Sequence, residues 1–306
     1  MKSAKKKGRQ RRRVALWVFL ALLILLIGLL GYGAINASTL YVRHAEVYVP
    51  DLPSSFEGLT LLYVSDIDIC GINTAERAAE AINRLQELKP DVLILGGDYT
   101  SYSLLELLNR TQDAEDSRDT SSVCEEFFSA IREFPAPLGR IAIVSPEDDA
   151  ATLEPVMRES GFQPLINASI GLSNGSDRLW FVGICDDHPS TIAGLNHFQR
   201  NDCVVCVAYG PSCFPQMMTL EASDSGPWVD LALAGHTHGG QIRFFGRSAF
   251  ILAQQEQKFL SGWNRETGIP MLTTTGLGCE ACNLRLGSHA EAWLIVLTNH
   301  EPDLSA

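Results

Sequence analysis

The chain has 306 residues, 46% hydrophobic and 20% charged, a balance that supports a buried core and excludes a wholly disordered protein. Its formal charge of −12 conceals two opposed parts: residues 1–13 carry eight of the 24 basic side chains and no acid, leaving 16 basic residues to face all 36 acids. A body that acidic repels phosphate polymers, so no nucleic-acid partner is expected.

From Val14 to Ile35 the chain reads VALWVFLALLILLIGLLGYGAI, 22 residues without a charge. Roughly 20 apolar residues in a helix cross the ~30 Å hydrocarbon layer, and the run exceeds the ~7–15 apolar residues of a cleaved signal peptide. It therefore reads as a single-pass anchor in the cell membrane over residues 14–36. The basic segment 1–13 would stay in the cytoplasm and the remainder would lie outside it. Next comes an apolar run at 59–65 ending at Asp66, then helical spacing from Thr74 to Leu88 stopped by Lys89-Pro90. A second apolar run, Asp91 to Leu95, leads through Gly96-Gly97 to Asp98. Two strands joined by a helix imply a parallel βαβ unit, whose ligands bind beyond the carboxyl ends of the strands. Residues 103–123 turn polar and acidic and read as a surface insertion. After a short helix from Glu125 to Phe134, a strand at 140–144 ends in the acidic loop 145–149. Further strands at 179–184, 203–208, 230–234 and 292–297 complete one α/β domain over residues 51–300, with no internal repeat.

The chemistry gathers at strand ends. Asp66-Ile67-Asp68, Gly97-Asp98 and Gly235-His236-Thr237-His238 each follow a buried strand directly. Carboxylates and imidazoles meeting at one edge are what a divalent metal site needs, and neighbouring glycines permit the close backbone approach. The eight cysteines leave disulfides open. Cys203 and Cys206 would point to opposite faces of their strand, whereas a local disulfide or an incidental pair of thiols is expected at Cys279 and Cys282.

Leu233-Ala234-Gly235-His236-Thr237-His238-Gly239-Gly240-Gln241-Ile242, Leu95-Gly96-Gly97-Asp98-Tyr99, and Thr275-Gly276-Leu277-Gly278 followed by Leu284-Arg285 together resemble the calcineurin-like metallophosphoesterases, in particular their membrane-anchored bacterial branch. The resemblance covers residues 56–300. It implies a four-layer α/β/β/α sandwich preceded by one N-terminal transmembrane helix, and hydrolysis of phosphoesters by a metal-bound hydroxide between two metal ions. In that family one metal takes the Asp and His of a D-x-H motif, the bridging Asp of the second motif, and the last His of G-H-x-H. The other metal takes the bridging Asp, the Asn of G-N-H-D, a separate His, and the first His of G-H-x-H. Carried over, Asp66, Asp98, His236 and His238 match. Asp68 replaces a histidine, Pro146 the metal-binding asparagine, Glu147 the catalytic histidine, and Tyr209 the separate histidine.

Asp66, Asp68, Asp98 and His238 still supply four ligands to the first metal, with carboxylate enrichment favouring Mn, Mg or Ca over Fe or Zn. Asp98 and His236 alone remain for the second, unless Glu147, Asp148 or Asp149 supplies an oxygen. One metal is expected, and a second only with outside help. Loop 145–149 otherwise reads as a solvated acidic turn. Glu147 is the candidate general acid, and Arg285 a candidate contact to an anionic ligand. The expected substrates are a phosphorylated small molecule or a lipid head group. The alternative is an impaired pseudoenzyme that binds a ligand or partner.

Overall fold

The computed structural model describes residues 2–109, 120–245, 247–248, 254–266 and 268–301. Among these residues two six-stranded sheets pack together. The first is ordered β1 (Leu40–Tyr48), β14 (Ala290–Thr298), β2 (Thr60–Val64), β3 (Val92–Leu95), β4 (Gly139–Ala142) and β5 (Gln163–Pro164). The second is ordered β12 (Gly262–Asn264), β13 (Met271–Thr273), β9 (Leu231–Ala234), β8 (Cys203–Ala208), β7 (Asp177–Ile184) and β6 (Ala168–Asn174). A small ribbon pairs β10 (Arg243–Phe244) with β11 (Arg247–Ser248).

The central strands β2, β3 and β4 are parallel, as are β7, β8 and β9. Strands β3, β8 and β9 are buried at every position, the condition for parallel strands covered on both faces. α2 (Ala75–Arg84), α4 (Thr120–Ala130) and α5 (Ala150–Glu159) cover the outside of the first sheet, while α6 (Pro189–Leu195) and α7 (Phe214–Thr219) cover the second. The layers run helix, sheet, sheet, helix, as the resemblance implies. Short helices α3 (Leu104–Asn109) and α8 (Gln254–Lys258) lie in connecting segments.

Local signals explain the elements near the site. The Thr74 hydroxyl accepts from Arg77 N–H and caps α2. The chain then tightens into a turn at residues 85–88 and leaves through Lys89 at φ 51° before Pro90. Asp149 caps α5 in the same way through Ala151 and Thr152. Cys203 joins the core between the sheets and Cys206 the core under α7, so the two thiols face apart as their spacing requires.

β1 is an addition to the sequence reading. Its residues alternate with Arg43, His44 and Glu46 and stay largely exposed, so no apolar run announces it. It pairs along its whole length with β14 and extends the sheet to Leu40, ahead of the expected boundary at residue 51. α1 (Lys2–Ser38) is one continuous helix through the basic and apolar segments. It is long and apolar enough to cross a membrane, and none of its most apolar window is buried by protein. Of the expected insertion at 103–123, residues 110–119 lie outside the described residues.

Candidate metal centre

The three candidate segments leave their strands at one shared edge. Asp66 and Asp68 follow β2, Asp98 follows β3, and His236 and His238 follow β9. All five residues adopt left-handed backbone, with φ of 52°, 48°, 54°, 72° and 50° in that order. They make up five of the eleven non-glycine residues with positive φ among the described residues. Such conformations cost roughly 1–3 kcal/mol each and persist where the surroundings enforce them, most often at functional sites.

The enforcement is visible in the backbone ties. Asp66 N–H donates to Gly97 O (3.1 Å) and Asp68 N–H to Asp98 O (2.9 Å), which laces the two carboxylate loops together. The loop after β13 closes over them, with Gly278 N–H donating to Asp66 O (2.7 Å). Gly276 sits at φ 73°, and any Cβ there would collide with the Asp66 carboxylate. Asn73 donates to the carbonyls of Ile67 and Asp68. Gln241 clasps the far side of the closing loop, donating to Glu280 O and Cys282 O and accepting from Glu280 N–H.

Within this frame the side chains meet in pairs. Asp98 Oδ2 lies 3.3 Å from His236 Nδ1, and Asp68 Oδ2 lies 3.5 Å from His238 Nδ1. Asp66 Oδ1 accepts from His236 N–H at 2.6 Å. Among the described residues no set of three or more such side chains closes into a cage. Yet Asp66 Oδ2, Asp68 Oδ2 and His238 Nδ1 are buried and lack a hydrogen-bond partner. Burial, then repulsion from Asp98, pushes the Asp66 carboxyl up to about 7, and burial with Asp66 drives Asp68 well above the usual range. Burial also raises Asp98, but the His236 hydrogen bond and charge outweigh it and leave Asp98 below its ordinary value. The same bond lifts His236 to about 9, while burial and then Arg285 take His238 down to about 3. Buried carboxylates that retain protons and leave lone pairs unused are poorly solvated as they stand; a cation would replace the protons and occupy the oxygens. The donor set therefore fits a hard divalent ion.

No established family profile matches the chain. Curated relatives do. Phosphodiesterase YaeI of Escherichia coli (strain K12) is 23% identical over 84% of this chain and 87% of its own length. The uncharacterized metallophosphoesterase YkuE of Bacillus subtilis (strain 168) is 22% identical over 89% and 94%. A Danio rerio transmembrane protein with metallophosphoesterase domain is 25% identical over 91% of this chain and 62% of its own length. Over most of its length the chain is thus similar to curated phosphodiesterases and metallophosphoesterases, in line with the resemblance carried by its motifs. Its candidate centre departs from that family's pattern on both sides, but Asp68 exchanges one ligand type for another, whereas Pro146 and Tyr209 remove ligands.

Pro146 and Glu147, expected from the resemblance at an asparagine and a histidine position, are exposed. Their neighbour Asp148 corrects the expectation of a solvated loop. Its oxygens accept from Asp98 N–H (3.0 Å), Ser145 N–H (2.8 Å) and Tyr99 N–H (3.1 Å), pinning this loop to the Asp98 loop. Burial, then Asp98, pushes Asp148 up to about 7. Tyr209 replaces the separate histidine and packs edge-on against His236, ring centroids 5.6 Å apart, with its hydroxyl 3.3 Å from Ser212 Oγ.

Two carboxylates near the centre escaped the sequence reading. Glu256 Oε1 in α8 lies 3.7 Å from His236 Nε2. Glu280, at the rim of the closing loop, is raised by partial desolvation and then by Glu147. Glu280 stands between Cys279 and Cys282, where the thiols drew attention instead, and nothing in the polar run QQEQK marks Glu256.

Arg285 requires a correction. It is fully buried and donates to the carbonyls of His238, His289, Gly276 and Gly278 and to Ser288 Oγ. It holds the closing loop together from beneath and has no surface to offer an anionic substrate. All eight cysteines are free thiols, so Cys279 and Cys282 form no disulfide.

Proposed function

We propose that this protein is a membrane-anchored, metal-dependent phosphoester hydrolase acting on phosphodiesters or lipid-linked phosphates. The observation that carries this reading is the convergence of Asp66, Asp68, Asp98, His236 and His238 at one strand edge, all five in left-handed backbone. Asp66, Asp68, Asp98 and His238 would hold one divalent ion, with Mn, Mg or Ca favoured by the carboxylate-rich set. Asp98 and His236 would face a second, weaker position. A divalent ion in such a centre neutralises phosphate charge and makes water a stronger nucleophile near neutral pH.

The chain's own residues then divide the remaining work. The backbone ties of Asp66 and Asp68 keep their orphan oxygens directed inward before any ligand arrives, which lowers the cost of assembling the centre. Glu280 at the rim of the closing loop lies within electrostatic reach of Glu147. Partial desolvation, and then the nearby Glu147 charge, makes Glu280 hold its proton more tightly, which suits it to protonate the leaving oxygen where the resembled family uses histidine.

The test is hydrolysis of bis(p-nitrophenyl) phosphate by the full chain in detergent with Mn²⁺. Asp98→Asn should reduce turnover by more than the ~10–100-fold typical of losing an outer partner of a metal ligand. A second reading, a ligand-binding pseudoenzyme, is favoured by Pro146, which offers no donor atom, and by Tyr209 packed against His236. Metal binding without turnover across metals and substrates would select that reading.

A further inference from the structure

Away from the candidate metal centre, α1 runs directly into the domain. The junction has no linker, since one residue separates the end of α1 at Ser38 from the start of β1 at Leu40. The last turns of the helix are already docked. Gly33 O accepts from Arg285 N–H (3.0 Å), Asn36 Nδ2 donates to Arg285 O (3.3 Å), and Asn36 and Ala37 are buried. A helix that spans a bilayer to about residue 36 therefore brings the closing loop of the metal centre to the bilayer surface.

Three further ties bring other elements to the same level. A cavity of about 220 Å³ beside Ala37 and Ser38 is lined by Ile72, Arg77 and the Arg84–Glu80 ion pair. Arg77 donates to Ile72 O, and Ile72 itself is 60% exposed. Gly71, the neighbour of Ile72, lies against Ser103, with 3.7 Å between the position of a Cβ on Gly71 and that of Ser103. Ser103 bridges to Ala281 on the closing loop, and Leu104 N–H donates to Ala281 O (2.6 Å). From that anchor projects α3, whose Leu104, Leu105, Leu107 and Leu108 are 50%, 72%, 38% and 72% exposed.

We infer that α3 and Ile72 seat in the interfacial layer of the bilayer that holds α1, with Arg77 facing lipid phosphates beside the helix exit. Four exposed leucines on six residues are costly in water and suited to the boundary between head groups and acyl chains. Charge agrees at Arg77, which the strongly acidic domain places beside the membrane helix, while Arg84 is paired there with Glu80. The consequence is positional. Ala281 and Gly278 belong to the loop that lies over Asp66, so the mouth of the metal centre stands at head-group level. The inference goes beyond hydrolysis and holds whether or not the chain turns over substrate.

The test uses the full chain in nanodiscs of phosphatidylethanolamine and phosphatidylglycerol. Benzoylphenylalanine replaces Leu105 or Leu108, with Leu29 in α1 as the lipid-facing reference. Ser176, exposed in the hairpin at the opposite end of the strands, is the aqueous reference. Leu105 and Leu108 touch no core, so the substitutions leave folding intact. After illumination, lipid adducts at 105 and 108 of the same order as at 29, with none at 176, are expected. Adducts at 29 alone, or capture of a second copy of the chain by positions 105 and 108, would overturn the inference.

Discussion

The two halves of the candidate metal centre share Asp98 and differ in the side chains around it. On the side of Asp66, Asp68 and His238, each candidate is buried, held in left-handed backbone and left with an unused polar atom. On the side of Pro146, Glu147 and Tyr209, two positions are exposed and the third is an aromatic ring stacked edge-on against His236. The family fold survives equally on both sides, since Asp148 still locks its loop to the Asp98 loop through three backbone N–H groups. Loop architecture and ligand chemistry are thus separable. A loop can keep the carboxylate that shapes it and lose the side chains that would coordinate.

The largest effect expected from breaking this contrast lies beneath the intact half. Arg285→Met removes the donors to four buried carbonyls and the positive charge that faces Asp68 and His238. Buried groups left unsatisfied cost ~1–3 kcal/mol each, so a loss of about 3–5 kcal/mol is expected even after partial relaxation. That corresponds to a drop in Tm of roughly 6–20 °C at ~2–4 °C per kcal/mol. An unchanged Tm with a raised KM would instead return Arg285 to substrate contact.

A smaller effect follows from the proton held between the halves. His236 binds its proton up to about 9 in the metal-free fold, mainly through Asp98, against an ordinary value of 6.5. Stability from that proton is fully present below 6.5 and disappears as pH rises to 9, because the unfolded chain releases it first. Asp66, raised to about 7, acts in the same direction up to neutrality, since its neutral form is the one the fold favours. Denaturation of the full chain in detergent with a chelator should therefore show a loss on the order of 2–3 kcal/mol between pH 6.5 and 9. Mn²⁺ should reverse the trend, because metal binding strengthens as ligands lose protons. A flat profile in the chelator would show that Asp98 and His236 do not share a proton.

Much of this contrast was legible in the sequence. β2, β3, β8 and β9 stand out as continuous apolar runs because both their faces are covered, and each ends where a motif begins. The departures at Asp68, Pro146, Glu147 and Tyr209 could be named only because the surrounding motifs resemble a family whose pattern supplies the expected residues. Elements with one open face were harder to read. β1 and β6 mix charged or polar residues with apolar ones at partly exposed positions, and β5 has only two residues. Glu256 and Glu280 reach the centre through tertiary packing and leave no local trace. Arg285 was misjudged because a lone arginine in a closing loop reads the same whether it faces solvent or carbonyls, and only burial decides.

The most direct measurement is the metal content of the purified full chain after dialysis against Mn²⁺, read by elemental analysis per mole of protein. One ion per chain is predicted, lost in Asp98→Asn, with a second gained only when Asn, His and His are restored through Pro146→Asn, Glu147→His and Tyr209→His. Two tightly held ions in the unaltered chain, or none, would contradict the division of the centre into an intact half and an altered one.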